Sequence, residues 1–545
     1  MQLAQALIAA LKAYGAEEIF GIPGDFALPF FKVIESDKTL PLYTLSHEPA
    51  VGFAADAAAR YRSSIGVACV TYGAGALNMI NPIATAYAEK TPLVVISGAP
   101  GTDQRDKELG LHHQVKHLDS QLLIMREVTC AQCVLDDADT APAEIARVLS
   151  AARRMSRPVY IEFPRNMVAA QVNAVPPFKP APNNEEGAKA AAQAVMELLR
   201  NAKSPALLLG VEVRRFALET KVAALAKTLG ITVTTSFMGR GTLAETDAPV
   251  ADTYLGLAGE EDTRKLIERS DGLLMLGVIL CDTNFGVSKY ELDMRNTAHA
   301  FDAEVRFAHH VYQNVTLEGL IDAMLKIADT VGHAQPAPDR YNVDVENPDA
   351  QILPADIAAI VSRYLEQHEN VPIASDMGDC LFTAMDMKHT ALVAPGYYAT
   401  MGTGIPFGIG LEVASGVRPL VLVGDGAFQM TGWELGNAKR LNLKPIVLLF
   451  NNTAWGMLKA FQKDTGYNDL DDWHFAELAN NLGGKGARVA TPAELEAALK
   501  TAHEDDSCFH LIEIMLPRDA MSTTLRRFTD TINERMALAS SAAGN

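Results

Sequence analysis

The residues best placed to do chemistry lie in the last third of the chain, in Gly424-Asp425-Gly426 and in Asn451-Asn452. Each group follows a short apolar stretch with the composition of a buried strand, and the ends of such strands form the ligand crevice of a parallel sheet. Asp425 offers a carboxylate oxygen and Asn452 an amide oxygen, which suit Mg²⁺ or, in a less strict geometry, Ca²⁺. Since the glycines let backbone N–H groups approach a phosphate, we predict a site for a diphosphate held through a divalent metal ion.

The elements that must position these residues follow one pattern along the whole chain: a short apolar run, a glycine-rich turn and a helical stretch. Uninterrupted apolar runs indicate strands that are buried on both faces, and therefore parallel sheets covered by helices. The order of strand, Gly-x-Gly turn, helix and returning strand occurs at 67–98 and again at 419–452. It indicates two copies of one α/β design, although the physics of the fold alone also repeats such units.

Two proline-rich stretches, 176–187 and 332–349, interrupt this pattern. They are predicted to be exposed linkers, because proline fixes φ and removes a backbone donor. They divide the chain into segments of 1–175, 188–331 and 350–545. We therefore predict an α/β fold of three doubly wound parallel-sheet domains, a number that also fits the length of 545 residues.

The composition of the chain disfavours several classes of function. A net charge of −19 without a basic run is unsuited to nucleic-acid binding, and the apolar runs are far shorter than the ~20 residues that span a bilayer. The N-terminus has the pattern of an amphipathic helix of the mature protein rather than of a signal peptide. Six cysteines give no disulfide framework, and we expect Cys130 and Cys133 to be ordinary thiols. The sequence predicts a soluble, cytoplasmic protein.

These motifs resemble the thiamine diphosphate (ThDP) signature of the 2-keto acid decarboxylases. The first segment agrees, since 21–25, 46–50 and His112-His113 resemble the pyrimidine-domain motifs of that family. The resemblance covers nearly the full chain and is closest to the bacterial phenylpyruvate and indole-3-pyruvate decarboxylases, notably in 46–60, 376–387 and 424–436. It implies pyrimidine-binding, central and diphosphate-binding domains in that order, with ThDP and Mg²⁺ (or Ca²⁺) bound at a dimer interface.

The resemblance also implies roles for residues of the first segment. Glu48 resembles the glutamate that hydrogen-bonds the aminopyrimidine ring of the cofactor, and Asp25, His112 and His113 resemble the family's proton-handling set. Decarboxylation to an aldehyde requires several proton transfers near neutral pH, a task suited to histidines beside a carboxylate. These four residues are the predicted catalytic residues, and Asp282 is a fifth candidate.

The diphosphate-binding segment carries most of the implied cofactor contacts. Met401 resembles the bulky apolar residue that holds the cofactor bent, and the Ala399 carbonyl would meet the aminopyrimidine ring. Asp425, Asn452 and the carbonyl of Ala454 are the implied metal ligands. With Glu48, the full set of implied cofactor-binding residues is Gly378, Asp379, Ala399, Thr400, Met401, Asp425, Gly426, Ala427, Asn452, Ala454, Trp455, Gly456 and Met457.

One position departs from the family pattern. Fermentative pyruvate decarboxylases have a glutamate six residues after the metal-binding asparagine, whereas this chain has Leu458. Leucine can neither donate nor accept a proton, and with Trp455 and Met457 it would form a substrate pocket that suits an aromatic side chain better than a methyl group. We hypothesise that Asp282, which follows an apolar strand of the central segment, replaces the missing acid. A turn or N-cap aspartate is the alternative interpretation.

The leading hypothesis is a non-oxidative decarboxylase that converts aromatic 2-keto acids, such as phenylpyruvate and indole-3-pyruvate, to the aldehyde and CO₂. The alternatives are a short-chain pyruvate decarboxylase, a carboligase of the acetolactate synthase type, and a ThDP-fold binding protein without catalysis. The expected partner is a small-molecule 2-keto acid, with neither nucleic acid nor membrane. By resemblance the enzyme is a homodimer at minimum, and a homotetramer is favoured. The stretch 522–528 is predicted to be a helix that either closes over the pocket or packs against it.

Overall fold

Apolar runs and helical stretches alternate in the computed structural model of the chain, as the sequence predicts. The structure describes residues 1–104, 110–285, 292–332, 334, 340–341, 343–462 and 464–543, without the side chains of 534–543. The chain forms two units. The first spans Met1–Ala181, Pro406–Gly416 and Gly436–Leu441, and the second spans Pro182–Ile405, Val417–Leu435 and Asn442–Asn545.

The first unit contains a six-stranded sheet in which every strand pair is parallel. Its strands are β1 (Ile19–Gly21), β2 (Leu42–Thr44), β3 (Gly66–Val70), β4 (Leu93–Ala99), β5 (Ala131–Val134) and β6 (Val159–Pro164), in the order β2-β1-β3-β4-β6-β5. The helices are α1 (Leu3–Ala13), α2 (Leu28–Asp37), α3 (Glu48–Arg62), α4 (Ala74–Asn78), α5 (Ile80–Ala88), α6 (Ser120–Arg126) and α7 (Ala141–Met155). Strands β3 and β4 are buried along their whole length, which explains their uninterrupted apolar sequences.

The second unit begins with a seven-stranded sheet that is parallel except at one edge. Its strands are β7 (Pro205–Leu209), β8 (Val233–Ser236), β9 (Val250–Tyr254), β10 (Gly272–Leu276), β11 (Thr297–Phe301), β12 (Glu304–Phe307) and β13 (His310–Gln313), in the order β13-β12-β11-β10-β7-β8-β9. The helices are α8 (Glu185–Asn201), α9 (Val211–Arg215), α10 (Glu219–Leu229), α11 (Glu261–Glu268) and α12 (Leu317–Leu325). Strands β11 to β13 form antiparallel hairpins that the sequence prediction does not include. The first turns at Asp302 and Ala303, both at positive φ as a two-residue hairpin loop requires.

The second unit also contains a six-stranded, fully parallel sheet. Its strands are β14 (Ile373–Ser375), β15 (Leu392–Val393), β16 (Leu420–Gly424), β17 (Ile446–Asn451), β18 (Lys485–Val489) and β19 (His510–Met515), in the order β15-β14-β16-β17-β19-β18. The helices of the chain from residue 354 onward are α13 (Pro354–Gln367), α14 (Asp379–Met385), α15 (Gly404–Ser415), α16 (Asp425–Thr431), α17 (Ala438–Leu441), α18 (Gly456–Phe461), α19 (Phe475–Asn481), α20 (Pro492–Glu504) and α21 (Thr523–Ala543). Of these, α17 and all but the first two residues of α15 belong to the first unit.

The first and third sheets have the same strand order, so the repeated α/β design that the sequence indicates is present. Residues 172–184, which include most of the predicted linker 176–187, form neither helix nor strand. The other predicted linker, 332–349, lies partly outside the described residues. The predicted domain bounds stay a prediction. Cys130 and Cys133 are free thiols, as expected. Across the described residues, no helix combines the length and the hydropathy needed to cross a membrane, and the cytoplasmic location stays a prediction.

Candidate cofactor site

In the first unit, residues 71–75, which form the turn after β3 and the start of α4, bring predicted catalytic residues together. Gly73 lies in this turn at φ +66, and Gly75 follows it. A Cβ on Gly73 would lie 2.1 Å from the backbone oxygen of His113, and one on Gly75 would lie 3.4 Å from Oε1 of Glu48. Gly73 therefore lets the His113 loop approach this turn, and the Glu48 carboxylate lies within contact distance of Gly75.

Asp25 and His112 form a solvent-accessible pair close to this turn. Oδ2 of Asp25 lies 2.5 Å from Nε2 of His112, whose ring stacks on Phe26 with centroids 4.7 Å apart. Gly24, the neighbour of Asp25, packs against Thr71 at the start of the turn. Partial burial raises the pKa of Asp25, but the hydrogen bond and the charge of His112 outweigh burial and lower it below its ordinary value.

His113 is held in a defined tautomer. Its Nδ1 lies 3.0 Å from the backbone oxygen of Tyr72. Because a carbonyl oxygen can only accept, Nδ1 carries the proton, and Nε2 of the neutral ring is the acceptor. The backbone of His113 adopts φ +67, a conformation that non-glycine residues keep only where their surroundings impose it.

Glu48 is the first residue of α3, and its side chain is half-buried. Its Oε2 accepts a hydrogen bond from Nδ2 of Asn78 at 3.0 Å, and the same nitrogen lies 2.9 Å from Nε2 of His47. Asn78 therefore fixes the carboxylate. The sequence analysis missed Asn78, because it lies at the end of α4 and belongs to no motif.

The second unit has a cavity of about 240 Å³ at the carboxyl ends of β16 and β17. Every predicted cofactor, metal and substrate-pocket residue of this unit except Thr400 lines it, namely Gly378, Asp379, Ala399, Met401, Asp425, Gly426, Ala427, Asn452, Ala454, Trp455, Gly456, Met457 and Leu458. The lining also includes Gly424 of the Gly-Asp-Gly motif and four residues to which the sequence analysis gave no role: Met377, Cys380, Phe450 and Leu516.

A buried carboxylate oxygen without a partner belongs to this lining. Asp425 is 3% exposed, and its Oδ1 accepts the N–H of Gly426 at 2.8 Å. Its Oδ2 is buried and has no hydrogen-bond partner among the described residues. Burial raises the pKa of Asp425 to about 7, against the opposing effect of surrounding backbone N–H groups. An unpaired buried carboxylate oxygen fits a bound cation, so the residues present fit the divalent metal that the resemblance implies.

Two glycines, at positions 426 and 456, allow the backbone to approach side chains that line the cavity. A Cβ on Gly426 would lie 2.4 Å from Cδ1 of Trp455, and one on Gly456 would lie 2.3 Å from Nδ2 of Asn452. Oδ1 of Asn452 accepts the N–H of Ala454 at 3.2 Å. Replacing either glycine would therefore displace a side chain that lines the cavity.

Asp376, to which the sequence analysis gave no role, fastens the loop that follows Met401. It is fully buried, and its Oδ1 accepts the N–H groups of Met377 at 2.8 Å and Gly402 at 3.1 Å. Its Oδ2 accepts the N–H of Gly404 at 2.6 Å. Burial raises the pKa of Asp376 to about 7, although these N–H groups oppose the shift. Gly402 adopts φ +80, a conformation that glycine takes without strain.

The lining also contacts the beginning of helix α21. Oδ2 of Asp379 accepts the N–H of Ser522 at 3.0 Å, and its Oδ1 accepts the Ser522 hydroxyl at 2.5 Å. Ser522 caps the helix by accepting the N–H of Leu525 at 3.1 Å. Burial raises the pKa of Asp379 to about 6, and the Ser522 hydrogen bonds oppose this shift. The predicted helix at 522–528 is thus present beside the lining, while its closure over the pocket stays a prediction.

Asp282 does not line this cavity. It is exposed and follows β10 in sequence. Its Oδ1 accepts the N–H of Thr283 at 2.9 Å, the kind of local contact expected if Asp282 is a turn or N-cap aspartate. The neighbouring residues 286–291 lie outside the described residues. The catalytic role of Asp282 stays a prediction.

Comparisons with known proteins agree with this geometry. Three models of thiamine pyrophosphate (TPP, a synonym of ThDP) enzymes match the chain: the N-terminal TPP binding domain at 1–123, the central domain at 192–326 and the C-terminal TPP binding domain at 376–514. Indole-3-pyruvate decarboxylase of Azospirillum brasilense is 55% identical over 533 residues, which cover 97% of this chain and 98% of that protein. The chain belongs to the ThDP-dependent 2-keto acid decarboxylases.

This ThDP-dependent decarboxylase is similar to more distant relatives along its whole length. Alpha-keto-acid decarboxylase of Mycobacterium tuberculosis is 29% identical, and the match covers 94% of each chain. Pyruvate decarboxylase of Kluyveromyces marxianus is 25% identical, over 98% of this chain and 99% of that protein. The decarboxylase therefore uses ThDP to decarboxylate a 2-keto acid, as the sequence analysis predicts.

Proposed function

We propose that this decarboxylase acts on aromatic 2-keto acids, such as phenylpyruvate and indole-3-pyruvate, and releases the aldehyde and CO₂. The observation that carries the proposal is the apolar wall of the cavity, which Leu458 forms with Met457, Phe450 and Leu516. Burial of a large aromatic side chain there would contribute roughly 2 kcal/mol or more, which a methyl group cannot match. The name of the Azospirillum relative, indole-3-pyruvate decarboxylase, supports the same substrate class.

We further propose that Mg²⁺ holds the diphosphate through Asp425, Asn452 and the carbonyl of Ala454, and that Ca²⁺ can replace it. The unpaired Oδ2 of Asp425 supports this assignment, because hard divalent cations prefer carboxylate, amide and carbonyl oxygens. When bound, ThDP supplies an electron-accepting ring that allows the bond to the carboxylate to break. The chain's own residues then orient the substrate, exclude water and move protons.

Proton movement is assigned to the residues around the turn 71–75. The Glu48 carboxylate, fixed by its hydrogen bond from α4, is proposed to hydrogen-bond the aminopyrimidine ring. His113 offers Nε2 as an acceptor, since its Nδ1 proton is committed to a backbone oxygen. Asp25 hydrogen-bonds His112, and this pair completes the proposed proton-handling set. Asp282 remains the proposed replacement for the missing acid.

We propose a homodimer as the minimal assembly and a homotetramer as the complete one. Large aromatic side chains exposed in the second unit support an interface, among them Trp433 at 45%, Trp473 at 47% and Tyr467 at 68% exposure. Size-exclusion chromatography with light scattering measures the assembly. A monomer at every concentration would contradict this proposal.

Parallel assays with indole-3-pyruvate, phenylpyruvate, a branched-chain 2-keto acid and pyruvate test the substrate class. ThDP and Mg²⁺ are supplied, and CO₂, aldehyde and acyloin are quantified together. We expect equimolar CO₂ and aldehyde, and a kcat/KM for the aromatic substrates that is at least about tenfold that for pyruvate. A preference for pyruvate would indicate a short-chain decarboxylase, and acyloin as the main product would indicate a carboligase.

A further inference from the structure

The turn that presents Asn452 and the carbonyl of Ala454 contains a strained residue. Thr453, between them, has φ +50, in the left-handed region that a β-branched residue rarely adopts. Such a conformation is unfavourable and persists only where neighbouring groups impose it. Other residues must therefore hold this turn in place.

Asn451 holds the turn from inside the sheet. It is the last residue of β17 and is 1% exposed, and its Oδ1 accepts the N–H of Thr453 at 3.1 Å. Its backbone oxygen accepts the N–H of Leu516 at 2.9 Å. Its side chain is not part of the cavity lining, so Asn451 acts through the turn rather than on a ligand.

Glu513 fixes the orientation of the Asn451 amide. It lies on β19 and is fully buried, and its Oε1 accepts a hydrogen bond from Nδ2 of Asn451 at 2.7 Å. Its Oε2 accepts the N–H of Ala476, in the first turn of α19, at 3.0 Å. Both carboxylate oxygens therefore face donors, and only a carboxylate offers two acceptors in this position. Nη1 of Arg488 lies 3.9 Å from Oε1 of Glu513.

We propose that Glu513 and Asn451 are positioning residues that keep the metal-binding turn in its ligand-presenting conformation. This inference rests on the proposed function, because it takes Asn452 and Ala454 as metal ligands. A released turn would displace both oxygens, and Mg²⁺ demands near-ideal octahedral geometry. Losing either positioning residue is therefore expected to weaken the binding of Mg²⁺ and ThDP, with little effect on turnover once both are bound.

Exchanging the acid and the amide between positions 513 and 451 tests the proposal. Glu513→Gln turns an NH₂ group toward the donor of either Asn451 or Ala476, and Asn451→Asp places two carboxylates side by side. In the double variant, the new amide at 513 donates to the new carboxylate at 451, and its oxygen accepts the N–H of Ala476. The second carboxylate oxygen at 451 still accepts the N–H of Thr453. The groups at positions 451, 453, 476 and 513 that hydrogen-bond one another in the unchanged chain are then paired again, and the total charge is unchanged.

Binding is measured by titrating the apoprotein with Mg²⁺ at saturating ThDP and following tryptophan fluorescence, to which Trp455 in the cavity lining contributes. We expect each single variant to raise the half-saturating Mg²⁺ concentration at least about tenfold, and the double variant to return to within about threefold of the unchanged chain. Complete restoration is not expected, because Oδ1 of Asp472 lies 3.4 Å from Nδ2 of Asn451 and would face the new carboxylate. The value of kcat at saturation is expected to change less than about threefold in every variant.

Asn480→Asp is the matched control. It makes the same amide-to-acid change on the exposed side of α19 and retains the oxygen that accepts the N–H of Gly486 at 2.9 Å. We expect its Mg²⁺ titration to match that of the unchanged chain.

Single variants that bind Mg²⁺ like the unchanged chain would overturn the inference. A double variant as impaired as the worse single variant would also overturn it, because that result indicates general damage to the core. If circular dichroism shows that a single variant does not fold, a folded double variant with near-normal affinity supports the inference, and an unfolded one overturns it. An unchanged chain that does not bind ThDP with Mg²⁺ would instead refute the proposed function on which the inference rests.

Discussion

Replacing Gly456 with alanine would displace a proposed metal ligand while leaving the fold intact. Gly456 is the first residue of α18, and a Cβ there would lie 2.3 Å from Nδ2 of Asn452. Because non-bonded heavy atoms prefer separations of about 3.5 Å or more, the end of the Asn452 side chain has to move by about 1 Å.

This movement is expected to cost little stability but much metal affinity. Asn452 is a half-buried, flexible side chain, and alanine is favoured over glycine within a helix by up to about 1 kcal/mol. For the metal, a shift of about 1 Å is large, since Mg²⁺ binds its ligands at about 2.0–2.1 Å. We expect the half-saturating Mg²⁺ concentration to rise roughly 10- to 100-fold, equivalent to about 1.4–2.8 kcal/mol.

The assay combines a Mg²⁺ titration of ThDP binding with thermal unfolding of the apoprotein. Gly466→Ala is the matched control, because a Cβ at that position would meet nothing within 4 Å. We expect only Gly456→Ala to weaken Mg²⁺ binding, and the Tm of both variants to stay within about 2–4 °C of the unchanged chain. Unchanged Mg²⁺ affinity in Gly456→Ala would refute Asn452 as a ligand, and a large loss of Tm would refute the packing argument.

Three further variants test individual side chains. Glu48→Gln is expected to lower kcat/KM at least about 100-fold without unfolding the chain, because an amide cannot replace a charged acceptor; unchanged steady-state kinetics would remove Glu48 from the site. Leu458→Glu introduces a charge into the apolar wall and is expected to lower kcat/KM for indole-3-pyruvate at least about tenfold more than for pyruvate. Equal losses with both substrates would show that Leu458 does not contact the substrate side chain. Asp282→Asn is expected to lower turnover and alter its pH profile, and an unaltered profile would exclude Asp282 from proton transfer.

The cofactor cavity could be predicted because its residues follow strands that the sequence identifies. The runs before Gly424 and Asn451 are short and apolar, and a parallel sheet gathers the carboxyl ends of such strands at one edge. In the first unit, by contrast, Asp25 and the other predicted catalytic residues were implied by the family resemblance, and no argument from strand ends identified them. Thr400 shows the limit of motif spacing, since it belongs to the predicted set but not to the lining.

The supporting contacts could not be predicted, because they join residues that are distant in sequence. Asp376 accepts a hydrogen bond from Gly402, 26 positions away in the sequence, and Glu513 accepts one from Asn451, 62 positions away. From the sequence, a carboxylate in an apolar strand indicates only that it needs a hydrogen-bond partner, because burying it without one is costly. Which residue provides that partner depends on the tertiary packing. The antiparallel edge of the central sheet was missed for a related reason: β13 is largely exposed and lacks the apolar run that marks the buried strands.

The most direct test of the account is the position of the metal ion. Crystals grown with ThDP and Mn²⁺ allow the ion to be located by its anomalous scattering. We expect one strong peak at roughly 2.0–2.6 Å, the range of hard divalent cations, from a carboxylate oxygen of Asp425, the amide oxygen of Asn452 and the carbonyl oxygen of Ala454. Bound ThDP with no peak at these atoms, or a peak coordinated by other residues, would contradict it.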